Sequence, residues 1–234
     1  MLCKIAEIVT EIPEEGGIAP LLEEYKCESE LPAQITIRSE NYRYHKWPNL
    51  SREAVAYIEA GGWFNYLLLH FDGMMLHASA VELGGRAYLF SGPCGMGKST
   101  HTRLWQKEFS DARIFNDDKP ALRRIDGRWF AYGTPWSGKH HVNVNIKAPL
   151  AGICFLKRGT ENSIRRLSAP EAVKRLIHQT MRHFNEESDL DLMLGCVERL
   201  AAEIPIFELH SLPEPAAARL SHDIMLKCAE DLNL

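Results

Sequence analysis

The sequence predicts an α/β fold with a mixed sheet, a small N-terminal subdomain over residues 1–72 and a main domain over residues 73–234 that ends in helices. The first observation behind this prediction is the alternation of short apolar runs with helix-length segments after residue 76. The second is Gly84-Gly85, which separates two strand-like runs and so indicates an antiparallel hairpin. The third is the C-terminal part, where the first of three helix-length segments opens with a capping box.

Proline and glycine divide the N-terminal subdomain into short elements. An apolar stretch near its start fits a short strand or helix, and residues 34–38 alternate as an exposed strand does. Ser51 is placed to cap a helix over residues 52–60, and Gly61-Gly62 is expected to end that helix. A second apolar element then leads into the main domain.

The main domain is predicted to contain strands and helices in turn. Short apolar or alternating runs predict the strands. A run without glycine or proline predicts the first helix, and a capping box predicts the second. In chain order these are strands over 76–82 and 86–91, a helix over 99–109, strands over 112–118, 122–125, 128–132 and 151–156, helices over 168–183 and 189–203, a strand over 205–209 and a helix over 215–231. A polar loop over 133–141 contains two glycines. The hairpin places an antiparallel strand directly before the glycine-rich loop at residue 92.

That loop carries the most specific motif of the chain. Residues 92–99, Gly-Pro-Cys-Gly-Met-Gly-Lys-Ser, match the pattern G-x-x-x-x-G-K-[ST] between a predicted strand and a predicted helix. In this context backbone N–H groups and the positive end of the helix dipole point at an anion, with Lys98 at the β- and γ-phosphates and the Ser99 hydroxyl at a Mg²⁺ ion. The sequence therefore predicts a nucleotide site, formed by Gly92, Pro93, Cys94, Gly95, Met96, Gly97, Lys98, Ser99 and Thr100.

Two adjacent carboxylates, Asp117 and Asp118, end the strand that follows the loop helix. Phosphoryl transfer needs a metal held by a hydroxyl and a carboxylate, and a group that orients or deprotonates the acceptor. One of the pair can bind the metal while its neighbour accepts the proton; the alternative is a surface pair that caps a turn. Lys139, in a glycine-flanked loop, and Arg182, near a helix end, are candidates for positive charge on the transferred group, or ordinary solvated cations.

The composition limits other classes of function. Apolar residues make up 45% and charged residues 25% of the chain, as in ordinary globular proteins. The net charge of −4 without a basic tract argues against nucleic-acid binding. The apolar stretches are too short to span a bilayer, so no membrane partner is expected. Six scattered cysteines without C-x-x-C spacing predict reduced thiols and a cytoplasmic location.

The segment from Leu76 to Arg158 resembles the superfamily of HPr kinase/phosphorylase and ATP-dependent phosphoenolpyruvate carboxykinase. The resemblance rests on Leu-His-Ala-Ser-Ala at residues 76–80, on the extra Gly95 of the phosphate loop and on the Asp-Asp pair. It implies an HPr-kinase-like fold with ATP and Mg²⁺ as cofactors. It further implies roles for five residues: His77 near the metal and the γ-phosphate, Lys98 on phosphate, Ser99 on magnesium, Asp117 as general base and Asp118 as metal ligand. Asp117 and Asp118 could exchange roles.

The likeness is greatest to bacterial HPr-kinase-like proteins with stretches similar to residues 99–105, 116–120 and 132–139. It implies an ATP-dependent kinase whose acceptor is a hydroxyl of a small molecule or a serine of a peptide or protein, and it allows a homo-oligomer. The sequence departs from HPr kinases at Thr100, where they carry an acidic residue, and in lacking their glycine-rich signature after the Asp pair. These departures keep open a regulatory nucleotide-binding module without turnover. Carboxykinases are much longer chains, and a GTPase needs an N-K-x-D element that the sequence lacks.

Overall fold

The computed structural model describes residues 1–180 and 187–234 and has a mixed α/β architecture. Its strands are β1 (Leu2–Ile5), β2 (Ile8–Glu11), β3 (Ile35–Thr36), β4 (Gly73–Met75), β5 (Ala78–Leu83), β6 (Arg86–Ser91), β7 (Arg113–Asn116), β8 (Ala121–Ile125), β9 (Arg128–Tyr132), β10 (Lys147–Arg158), β11 (Ser163–Arg166) and β12 (Ile206–Ser211). Its α-helices are α1 (Arg52–Leu68), α2 (Lys98–Glu108), α3 (Ala169–Gln179), α4 (Glu187–Glu203) and α5 (Pro215–Asp231).

The strands form a small sheet and a large curled one. In the small sheet, β2 lies between β1, which is antiparallel to it, and β3, which is parallel to it. The large sheet has the order β4-β8-β9-β10-β6-β5-β7, and β12 joins it by pairing with β10 and β11. The long strand β10 pairs antiparallel with β9 through residues 147–149, and its later residues pair in parallel with β6 and β12. A register shift between Leu150 and Gly152 interrupts the parallel pairing with β6 near its start.

Helices cover both faces of the parallel part of the large sheet. Leu89 of β6 belongs to the core that includes α3 and α4, whereas its neighbours Tyr88 and Phe90 belong to the core that includes α2 and α5. This alternation follows from the two-residue period of a strand. Trp105 of α2 fills the second core, with ring centroids 4.9 Å from Tyr88 and 5.1 Å from Phe90. Burial on both faces explains why residues 87–90 are continuously apolar.

The helix α1 differs from the sequence prediction at its C-terminal end. Ser51 caps it as predicted, because its hydroxyl accepts a hydrogen bond from the Ala54 N–H at 3.2 Å. The prediction that Gly61-Gly62 ends the helix is wrong, since α1 continues to Leu68. Gly61 lies against the ring of Trp136, where a Cβ atom would stand 2.8 Å from two ring atoms. The glycine is therefore required for packing and does not stop the helix.

Other elements are confirmed or shortened. The two predicted hairpins are present as β5 with β6 and β8 with β9. The strand predicted over residues 34–38 is reduced to the two residues of β3. The capping box of Ser168 and Glu171 opens α3, which ends at Gln179 instead of residue 183. The short strand β11 was not predicted.

The N-terminal segment shares a core with part of the large sheet. Phe64 of α1 and Ile8 of β2 belong to the same buried cluster as Met75, Ala121 and Tyr132. The division of the chain at residue 72 stays a prediction.

A buried carboxylate joins β10, β11, β12 and α3. The Glu208 side chain is 3% exposed and forms ion pairs with Lys157 at 2.9 Å, Arg165 at 3.3 Å and Arg175. The three cations come from β10, β11 and α3, and each remains partly exposed. This network fixes the edge of the sheet beside the glycine-rich loop.

Candidate functional site

The glycine-rich loop joins β6 to the N-terminus of α2. Gly92, Gly95 and Gly97 have φ angles of 148°, 75° and 101°, in the region that favours glycine. Gly97 is the N-cap of α2. The backbone N–H groups at the start of a helix have no partner within the helix, and an anion can accept hydrogen bonds from them. The backbone of this loop is thus suited to hold a phosphate.

Lys98 is the first residue of α2 and folds back over the loop. Its Nζ atom donates to the carbonyl oxygen of Gly92 at 2.9 Å and to that of Pro93 at 3.4 Å. Burial lowers the pKa of the Lys98 ammonium, and the negative charge of Asp118 acts in the opposite direction. Lys98 and Asp118 are therefore close enough to interact electrostatically. The two carbonyl contacts are ones that a phosphate oxygen could replace.

Asp118 lies in a cluster of charged groups. Its Oδ1 atom accepts from His77 Nε2 at 3.1 Å, and its Oδ2 atom accepts from Lys119 Nζ at 2.8 Å. Burial raises the pKa of Asp118, but the hydrogen bond from His77 and the charge of Lys119 outweigh it and bring the pKa to about 2. The carboxylate therefore stays ionised at every pH near neutrality. The sequence singled out His77 and Asp118 but not Lys119.

Asp117 points into different surroundings from its neighbour. Its Oδ1 atom accepts from the Gly138 N–H at 2.6 Å and its Oδ2 atom from the His140 N–H at 3.3 Å. The side chain is buried. Asp117 thus holds the loop over residues 133–141, while Asp118 faces His77 and Lys119.

Asn116 closes the turn that carries the two carboxylates. Its Oδ1 atom accepts from the N–H groups of Asp118 at 3.0 Å and Lys119 at 2.7 Å, and its Nδ2 atom donates to the carbonyl oxygen of Thr134 at 3.0 Å. Sequence reasoning missed this residue. An Asn at a strand end, just before a turn, is a recognisable signal because its side chain can imitate a backbone turn.

The helix α1 also holds the loop over residues 133–141. Tyr57 donates its hydroxyl to the carbonyl oxygen of Ser137 at 2.8 Å, and Trp136 Nε1 donates to the carbonyl oxygen of Tyr57 at 3.1 Å. Burial raises the pKa of Tyr57, as do the charges of Asp118 and Asp117. The phenol is therefore near both carboxylates. Nothing in the local sequence around Tyr57 pointed to this position.

The remaining predicted cations are less well placed. Lys139 lies in the same loop, with its side chain exposed. Arg182 lies outside the described residues.

Two cavities lie on opposite sides of α2. The first, which we name the loop cavity, has a volume of about 340 Å³ and is lined by Gly95, Met96, Gly97, Thr100, His101, Leu104, residues 156–159 and residues 211–213. The second, which we name the aspartate cavity, has a volume of about 250 Å³ and is lined by Ser99, Thr102, Arg103, Gln106, Ile114, Asp117, His140 and Val142. The aspartate cavity brings together two residues predicted to act on the metal and the acceptor, Ser99 and Asp117.

The donor set fits magnesium bound together with a nucleotide. Mg²⁺ usually takes one or two protein carboxylates and completes its shell with phosphate oxygens and water. The hydroxyl of Ser99 and the carboxylates of Asp117 and Asp118 are hard oxygen donors of this kind. In the described ranges, no group of three or more His, Cys, Asp or Glu side chains is arranged to hold a metal.

No helix within the described ranges has the length and apolarity needed to cross a membrane.

Comparisons with known proteins give a distant structural likeness. No protein-family model matches the chain, and no curated protein matches it. Among solved structures, 43 chains match. One is the HPr(Ser) kinase/phosphatase from Coxiella burnetii, which is 10% identical, with 68% of this chain and 95% of that chain covered and a TM-score of 0.38. This likeness assigns neither an activity nor a site residue to the chain.

Proposed function

We propose that this chain is an ATP- and Mg²⁺-dependent phosphotransferase that moves the γ-phosphoryl group to a hydroxyl of a small molecule or of a peptide serine. The observation that carries the proposal is the arrangement of the loop lysine and the two carboxylates. Lys98 is buried within electrostatic reach of Asp118, and Asp117 lines one cavity with Ser99. These are the parts that phosphoryl transfer requires of a protein.

The nucleotide would lie along the loop and extend into the loop cavity. The backbone N–H groups of residues 94–100 would hold the phosphates, and Lys98 would exchange its two carbonyl partners for phosphate oxygens. Met96, Leu104 and Leu156 give the loop cavity apolar walls, which suit a planar base.

Ser99 and Asp118 would hold the metal. When bound, Mg²⁺ neutralises charge on the β- and γ-phosphate oxygens. Asp118 suits this role because its pKa of about 2 keeps it anionic and makes it a weak base. His77 donates to its Oδ1 atom and so fixes the plane of the carboxylate, as the partners of metal ligands commonly do. Asp117, beside Ser99, is the other candidate ligand.

Asp117 would accept the proton of the acceptor hydroxyl. Its two oxygens each take one backbone N–H, which fixes the orientation of the carboxylate and leaves further lone pairs. The carboxylate lines the aspartate cavity, where a hydroxyl can reach it. Lys139 on the same loop, and Arg182, would supply positive charge to the transferred group.

The test is transfer of label from γ-labelled ATP. The purified protein is incubated with Mg²⁺ and a host extract divided into small-molecule and polypeptide fractions. The Lys98→Ala variant is compared with Lys107→Ala, which removes an exposed lysine from the same helix. We expect label in one fraction with the wild type and Lys107→Ala, and none with Lys98→Ala.

Three results would change the assignment. Full turnover by Asp117→Asn would show that Asp117 is not the base. ATP binding without transfer to either fraction would favour the regulatory module. ATP consumption stimulated by oxaloacetate would favour a carboxykinase.

A further inference from the structure

Arg103 and His140 form a polar pair at the aspartate cavity. Arg103 Nη2 lies 3.1 Å from His140 Nε2. A guanidinium has donors only, so the histidine nitrogen accepts in this contact. The guanidinium brings a positive charge to the cavity. Among residues 1–180 and 187–234, no carboxylate forms an ion pair with Arg103.

The position of the pair ties it to the proposed machinery. Arg103 is four residues beyond Ser99, and both line the aspartate cavity from α2. The backbone N–H of His140 donates to Asp117. The imidazole that contacts Arg103 is thus anchored on the carboxylate proposed as the base. Arg103 and His140 are both exposed, so a molecule in the cavity can reach them from solvent.

We propose that the aspartate cavity is the acceptor site and that Arg103 selects acceptors that carry a carboxylate close to the hydroxyl. The inference rests on the proposed function and adds the acceptor class to it. Asp117 places negative charge in this cavity and repels an anionic acceptor, and the guanidinium opposes that repulsion. A volume of about 250 Å³ admits a small hydroxy acid or a single peptide residue.

The hydroxyl oxygen of the acceptor bonds to the γ-phosphorus of ATP, and the bond between that phosphorus and the β–γ bridging oxygen breaks. ADP leaves with the bond's electron pair. The hydroxyl proton goes to Asp117. The carboxylate of the acceptor takes no part in the bond changes and only holds the acceptor on Arg103.

Matched acceptor pairs test this selection. Glycerate is compared with glycerol, and acetyl-Ser-Glu amide with acetyl-Ser-Gln amide, so that the charged arms distinguish a free hydroxy acid from a peptide. The variants are Arg103→Gln and Arg103→Lys, with Lys107→Gln as the matched loss of an exposed cation. We expect Arg103→Gln to lower the charged-over-uncharged ratio of kcat/KM roughly ten- to a hundredfold, as loss of a charged hydrogen bond does, mainly through the KM of the charged acceptor.

Two further readouts separate the selection from other roles. The KM for ATP should not change in Arg103→Gln, and Lys107→Gln should keep the wild-type ratio. Arg103→Lys should recover part of the ratio, because it restores charge without the planar fork. Equal losses with charged and uncharged acceptors would place Arg103 on the transferred phosphoryl group and overturn the inference.

A failure of the proposed function can be distinguished from a failure of this inference. If no acceptor takes label, calorimetric titration of each charged probe in the presence of a non-hydrolysable ATP analogue decides. Heat of binding that Arg103→Gln abolishes and Lys107→Gln preserves would support the anion site without a kinase. No binding of any charged probe would overturn it.

Discussion

Replacement of Gly61 by Ala tests the packing of α1 against the loop that holds Asp117. A methyl group there would stand 2.8 Å from Cδ1 and Nε1 of Trp136 and 3.3 Å from Cε2. The indole has no room to retreat, because Phe64 stacks on it with ring centroids 5.0 Å apart and its Nε1 atom is bound to Tyr57. The substitution therefore forces either the helix or the loop to move.

Two opposing contributions decide the size of the effect. Ala is favoured over Gly in a helix interior by about 1 kcal/mol. Overfilling a packed core costs about 1–3 kcal/mol. At Gly61 we expect the second to prevail and the free energy of unfolding to fall by about 1 kcal/mol, which lowers the Tm by about 2–4 °C. At Gly195 of α4 the nearest atom would be 3.8 Å away, so Gly195→Ala should raise the Tm by about the same amount.

The assay is thermal and urea unfolding of both variants beside the wild type. We expect the two variants to change the free energy of unfolding in opposite directions. Both make the same chemical change in a helix, and they differ in the space around the new methyl group. The double variant Gly61→Ala/Trp136→Phe should be less destabilised than the sum of its single changes. If Gly61→Ala were as stabilising as Gly195→Ala, the contact between α1 and Trp136 would not be tight, and the reasoning would fail.

Three further predictions follow from the charged and nucleophilic groups. The unfolding free energy of the wild type should exceed that of Asp118→Asn by about 2 kcal/mol near neutrality. The lowered pKa of Asp118 stabilises the fold fully at pH values above 3.8, the normal pKa, so the difference should vanish as the pH falls towards 2. A difference that did not change with pH would contradict this prediction. Glu208→Gln leaves three partly exposed cations without their common anion and should cost about 1–3 kcal/mol in urea unfolding, reduced by high salt; an unchanged midpoint would contradict it. The exposed Cys94 thiol should be alkylated more slowly by N-ethylmaleimide when ATP and Mg²⁺ are present, as followed by mass spectrometry, whereas Cys27 outside the loop should not be protected.

The hairpins and the capped helices could be predicted because short-range rules decide them. Gly84-Gly85 fits only a tight turn between two strands, and Ser168 with Glu171 satisfies the N–H groups at a helix start wherever the helix lies. The end of α1 could not be predicted in this way. By short-range rules Gly61-Gly62 stops a helix, and the reason that it does not is the indole of Trp136, which only the tertiary fold brings there.

The candidate site, too, could be predicted only in part from the local sequence. The strand-end position singles out the pair of Asp117 and Asp118 in the sequence, but a pair of identical residues gives no sign of which does what. Their difference arises from separate elements: His77 precedes β5 and contacts one carboxylate, while Gly138 comes from the long loop and contacts the other. Arg103 could not be predicted as a binding residue either, because only the folded structure shows which cavity it lines.

The N-terminal segment, the least informative part of the sequence, acts on the site through geometry. Gly61 and Tyr57 of α1 fix Trp136 and the carbonyl group of Ser137, and the next residue donates its N–H to Asp117. A displacement in α1 is therefore passed to the proposed base within three residues of loop. Lys98, by contrast, is held within the glycine-rich loop, by the carbonyl oxygens of Gly92 and Pro93. Gly61→Ala should accordingly lower the rate of transfer while ATP affinity is kept, which a general loss of folding could not do.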